Sequence, residues 1–179
     1  MAPSQTSKQN PKKQEEGPPD LRDYQDKIDY TTFEQILEMD DDEDDRDFSQ
    51  GIVFGFFEQA EATFEKMESA LAENDFNDLS QLGHFLKGSS ATLGLTKVKD
   101  ACEKIQHCKE DLPDEKEEAE REKAIDGIKK TLNEVQVDYK EVANILRRFF
   151  GVDPVPDTTD EKNGTTEEKK SESPKAEKK

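Results

Sequence analysis

Of the two histidines in this 179-residue sequence, His84 is the one whose neighbours suit chemistry. His84, Lys87 and Gly88 are spaced by three and four residues, so on a helix they share one ridge. An imidazole with an ordinary pKa of about 6.5 offers a neutral nitrogen lone pair near neutral pH. Lys87 adds a compact positive charge beside it. Glycine inside a helix costs about 1 kcal/mol relative to alanine, and next to an exposed ring it clears room for a close approach. Such a group suits attack on a phosphoryl group, which needs positioning and neutralisation of its oxygens more than covalent help. The sequence has no Gly-rich phosphate loop, so the phosphoryl group is expected from another protein.

The ring must be exposed for this to work. On a helical wheel centred on Leu79, the residues Leu82, Leu86 and Leu93 fall within about 60°, and His84 falls at about 140°. His84 is therefore expected in solvent. A lone exposed histidine is most often an ordinary surface residue; Lys87 and Gly88 set this one apart.

Other groupings carry less. Cys102, His107 and Cys108 are close in sequence, but the cysteine spacing fits no standard zinc motif. Cys102 shares an apolar face with Leu95, Val98 and Ile105, so a buried thiol and no metal site are expected. Ser89 and Ser90 have no base beside them and are expected to pack or to bond back to the helix. The run Asp40 to Asp45 lacks the glycine and terminal glutamate of a calcium loop and reads as a solvated acidic turn.

The elements that must position His84 are helices. Thr31 and Glu34 form a capping-box pattern ahead of a short helix to about Met39. A second helix is expected from about Asp47 to Glu73, with Phe48, Ile52, Phe56, Ala60, Phe64, Met67 and Leu71 as apolar positions. A third runs from about Asn77 to Leu93 and stops at Gly94. A fourth spans about Thr96 to Glu110, followed by an acidic linker from Asp111 to about Glu117. In the last helix, Ile125, Ile128, Leu132, Val135, Tyr139, Val142, Leu146 and Phe149 alternate steps of three and four, a bundle-type stripe. The fold class expected is all-α: an antiparallel four-helix bundle with an additional short N-terminal helix.

Composition frames the folded part. The chain is 30% hydrophobic and 39% charged, with net charge −18. That polarity fits a domain from 21 to 150 flanked by disordered tails, 1–20 and 151–179. The charge excludes nucleic acid and disfavours anionic membranes. No apolar run approaches the roughly 20 residues of a membrane span, and Met1 to Asn10 hold no signal-peptide core. Two cysteines fit a reducing compartment.

The residues around His84 also carry a resemblance. His84-Phe85-Leu86-Lys87-Gly88-Ser89-Ser90-Ala91, followed by Leu93-Gly94-Leu95, resembles the H-x-x-K-G-S-S signature of histidine-containing phosphotransfer (HPt) domains. Met39-Asp40-Asp41-Asp42, Asp47-Phe48-Ser49-Gln50-Gly51 and Cys102-Glu103-Lys104-Ile105-Gln106 are similar to the fungal branch, the intermediates of osmosensing phosphorelays. The likeness is detailed from Thr31 to Gln106 and extends to the last helix by pattern alone.

The resemblance implies a helical bundle whose exposed histidine shuttles a phosphoryl group. His84 would accept it through Nε2 from an aspartate on the receiver domain of a hybrid sensor histidine kinase. It would pass the group to an aspartate on a downstream response regulator. Lys87 would assist electrostatically, Gln106 would hydrogen-bond near the histidine, and Gly88 would clear space. The receivers would dock on Thr32, Ile36, Met39, Phe48, Ile52, Phe85 and Gly88. Mg²⁺ would sit on the receiver, and the chain would carry no cofactor or ATP site of its own. The family often has an arginine one turn beyond the glutamine, where this sequence has Glu110. A monomer shared between cytoplasm and nucleus is expected. The alternative, from another functional class, is an acidic helical adaptor that binds a partner without chemistry.

Overall fold

The computed structural model describes residues 17–42, 44–110, 112–114 and 117–155. The expected tails therefore lie almost wholly outside the described residues, as does part of the acidic linker. Asp20 opens the folded part by accepting the backbone N–H of Arg22, which caps a single 3₁₀ turn, Leu21–Tyr24. Five α-helices follow: α1 Tyr30–Leu37, α2 Asp47–Ala72, α3 Phe76–Thr92, α4 Thr96–Gln106 and α5 Glu118–Phe149. Among the described residues there is no strand, only two isolated bridges.

The cap of α1 differs from the expected box. Asp29 is the N-cap, and its carboxylate accepts the N–H groups of Thr31 and Thr32. Aspartate satisfies orphan helix donors at least as well as threonine, so the helix starts two residues earlier and Thr31 lies inside it. The helix ends at Leu37 rather than Met39.

The start of α2 revises the reading of the acidic run. Its first residue outside the helix, Arg46, makes no side-chain cap. Instead Asp40 reaches across nine positions and accepts the N–H of Ser49 at 2.8 Å. Only 1% of the Asp40 side chain is exposed, and Arg46 stands 3.6 Å from its second oxygen. Asp40 is thus a buried, non-local cap, not part of a solvated turn. Burial alone would push its carboxyl up. Hydrogen bonding from Ser49 and the positive charge of the nearby Arg46 guanidinium outweigh this and hold it below the usual range.

Helices α2, α3, α4 and α5 pack as a ring of neighbours: α2 on α3, α3 on α4, α4 on α5 and α5 on α2. The α2–α3 and α3–α4 connections are only three residues long, which makes consecutive helices antiparallel. The core holds Phe33, Val53, Phe57, Met67, Leu79, Leu86, Ile105, Val135 and Leu146, all at most 2% exposed. Burying each large side chain contributes about 1.5–3 kcal/mol. The α5 stripe forms as expected at Leu132, Val135, Tyr139, Val142 and Leu146, whereas Ile125, Ile128 and Phe149 at its ends are only partly buried.

Gly94 fixes the turn between α3 and α4. Its φ of +69° suits glycine, and a Cβ there would lie 2.7 Å from the Asp29 carbonyl oxygen. That close approach lets Asp29 donate its N–H to Gly94 and lets Thr96 donate to Lys27. The entry to α1 is thereby stitched to the α3–α4 turn. At the other end, Gly151 (φ +69°) closes α5, and Asn144 pairs with both backbone groups of Val155. Residues 151–155 thus fold back along the end of α5.

Candidate functional site

His84 lies in the middle of α3 and is exposed. The buried face of this helix comprises Phe76, Leu79, Gly83, Leu86 and Ser90. Its centre is turned by about 20° from Leu79, and by about 50° from the middle of the leucine line, toward Gly83 and Ser90. Leu82 therefore falls at the margin, half-buried, and His84 stays on the opposite side.

Gly83, which the sequence reading passed over, sets the distance between α3 and α4. A Cβ there would meet the Gln106 backbone nitrogen at 2.8 Å and the Cys102 carbonyl oxygen at 3.1 Å. Ser80 Oγ donates to the Gln106 carbonyl one turn earlier. These contacts bring the last turn of α4 onto α3 beside the ridge that bears His84. The sequence signal was a second glycine, one residue before the histidine.

Lys87 is consequently not free in solvent. Its Nζ donates to Glu103 Oε1 at 3.0 Å and lies 3.4 Å from Gln106 Oε1. The hydrogen bond from the Lys87 ammonium, and its charge, hold the Glu103 carboxyl below its ordinary range. Glu103 was missed in the sequence because nothing there shows which α4 residue faces Lys87. Among the described residues, the Gln106 side chain makes its contact with Lys87 rather than with His84.

Glu110 does not extend this row. Helix α4 stops at Gln106, so the chain has left the helix before a further turn is completed. Glu110 pairs with His107 Nδ1 at 2.9 Å, and Lys109 donates to Asn77 at the start of α3. The fourth helix is thus four residues shorter than expected.

The expected docking residues divide by exposure. Met39 (60%), Phe48 (56%) and Phe85 (47%) are exposed large apolar side chains. Gly88 is exposed, and a Cβ on it would meet nothing within 4 Å. Thr32 and Ile52 are half-buried. Ile36 is a correction: at 6% exposure it belongs to the core, because α1 turns that face onto the bundle. Gly51 and Gly55 on α2 also face open space. No internal packing explains the missing side chains there.

Ser89 and Thr92 bond back to the carbonyls of Phe85 and Gly88, as expected of hydroxyls inside a helix. The Cys102 thiol is buried, which pushes its pKa up to about 12 and leaves it inert. Among the described residues, no three His, Cys, Asp or Glu side chains converge to hold a metal, and no helix is long and apolar enough to cross a membrane.

Residues 52–138 match the Hpt domain family. The Schizosaccharomyces pombe protein Multistep phosphorelay regulator 1 is 45% identical over 131 residues, covering 69% of this chain and 42% of that protein. Phosphorelay intermediate protein YPD1 of Saccharomyces cerevisiae is 47% identical over 81 residues, covering 45% of this chain and 47% of that protein. The aligned segments thus span less than half the length of either relative. Among solved structures, that of S. cerevisiae Ypd1 with the receiver domain of its downstream response regulator Ssk1 is similar. It is 32% identical with a TM-score of 0.61, covering 70% of this chain and 95% of that one. Ring order of the helices, an exposed histidine midway along α3 and these likenesses lead to one assignment: the chain belongs to the Hpt, histidine-containing phosphotransfer, domain family.

Proposed function

We propose that this chain is a phosphorelay intermediate in which His84 carries a phosphoryl group between two receiver domains. The observation that carries the reading is local. The exposed His84 lies one helical turn before Lys87 on α3 and beside Gly88, where a side chain would find only open space. The exposed Met39, Phe48 and Phe85 supply apolar area for a partner to cover.

The reaction is a displacement at phosphorus. The Nε2 lone pair of His84 forms an N–P bond as the P–O bond of the receiver's aspartyl phosphate breaks, and that electron pair leaves with the aspartate carboxylate. The return step reverses these bonds on the second receiver. Lys87 neutralises part of the charge on the phosphoryl oxygens. Mg²⁺ belongs to the receivers, and the chain acts as a monomer without ATP. By the fungal resemblance the relay is osmosensing and runs between cytoplasm and nucleus, which imaging of a tagged chain tests.

The direct experiment offers a phosphorylated receiver domain, labelled and with Mg²⁺, to wild type and His84→Gln. Acid-labile, alkali-stable label on wild type alone is the expected result. Equal binding of both proteins with no label on either would establish the adaptor instead.

A further inference from the structure

We propose that Glu103 is a positioning residue of this relay: its carboxylate is the resting counter-ion of Lys87, which the phosphoryl group on His84 must win away. In this role Glu103 sets the transfer equilibrium against the phosphohistidine. The inference rests on the phosphorelay reading and deepens it.

The geometry is specific. Lys87 Nζ is held at 3.0 Å by Glu103 and faced at 3.4 Å by Gln106, both on α4. His84 lies three residues before Lys87 on α3, within reach of the same flexible four-carbon stem. The contact is not an accident of two floppy chains. The register that presents Glu103 is fixed by backbone against backbone, where Gly83 meets Cys102 and Gln106.

The pair is also exchangeable. The side chains of Lys87 and Glu103 are 29% and 49% exposed. An ion pair this open is weak, and a buried one would lock the ammonium in place. A phosphoryl group carries close to two negative charges near neutral pH and three strong acceptor oxygens. It outcompetes a single carboxylate for the lysine. The cost of that exchange falls on the phosphorylated state alone, so the carboxylate weakens phosphoryl retention and favours onward transfer. Gln106 offers the displaced ammonium a neutral acceptor on the same side.

The test measures the equilibrium between a phosphorylated receiver with Mg²⁺ and the chain, approached from both sides. The return direction starts from His84 loaded with phosphoramidate. Glu103→Gln keeps the shape and removes the charge; it is expected to shift the equilibrium toward phosphohistidine by about 2- to 5-fold at low salt. In a Lys87→Ala background the same substitution is expected to shift it by less than about 2-fold, because the effect runs through the lysine. An unchanged equilibrium in Glu103→Gln overturns the proposal. An equal shift in the Lys87→Ala background overturns it as well, because the carboxylate would then act directly or through the fold. Steady-state labelling by phosphoramidate gives the same comparison without any receiver. A wild type labelled by phosphoramidate but by no receiver sinks the relay reading while leaving the Glu103 comparison intact.

Discussion

A Cβ on Gly83 would stand 2.8 Å from the backbone nitrogen of Gln106, closer than helices can tolerate without moving. The absence of one methyl group therefore sets how near α4 comes to the helix that bears His84. It also sets where Glu103 and Gln106 stand over Lys87.

Gly83→Ala is expected to destabilise the bundle by about 1–3 kcal/mol, since the atoms it would strike are backbone. Alanine regains about 1 kcal/mol of helix propensity, so a net loss identifies the clash as the larger effect. Thermal or urea unfolding measures this. The variant should also loosen the Lys87–Glu103 pair, visible as a changed phosphotransfer equilibrium.

Gly88→Gln makes the opposite case. A side chain here meets nothing within the chain, so stability should hold or rise slightly. Phosphotransfer from a receiver should slow by about 10-fold or more, the cost of displacing a closely docked partner. An unaltered rate would show that the partner does not approach this face closely.

Asp40→Ala is expected to cost about 1–2 kcal/mol, because it orphans the Ser49 amide at the start of α2. The pH dependence has a definite sign. The folded carboxyl lies below its ordinary value, so its stabilisation is present above pH 4 or so and is lost as pH falls through the folded pKa. The gap in stability between wild type and Asp40→Asn should therefore be widest near neutral pH and close in acid.

Phe48→Ala removes a ring that is already 56% exposed, so unfolding stability should change by less than about 0.5 kcal/mol. Affinity for a receiver domain should fall by about 10-fold, as for an interface aromatic. Calorimetry on wild type and variant separates the two effects. Ile36→Ala should show the reverse pattern, with a stability loss of about 2–5 kcal/mol, since Ile36 is core.

The sequence by itself determined the helices and the shared ridge of His84, Lys87 and Gly88. Both are local matters: the three-and-four spacing of Leu132 to Leu146 and of His84 to Gly88 is decided by the geometry of one helix. The exposure of His84 followed from the same periodicity. Some errors were local competitions between similar signals, such as Asp29 against Thr31 for the cap of α1. Others were beyond local reasoning. That Asp40 caps Ser49, that Ile36 turns inward, and that Glu103 rather than Glu110 meets the site all depend on how separate elements meet. Only the tertiary structure decided these, because a hydrogen bond or a steric limit between distant segments has no period in the sequence. It exists only once the ring of helices has closed and Gly83 has let two of them touch.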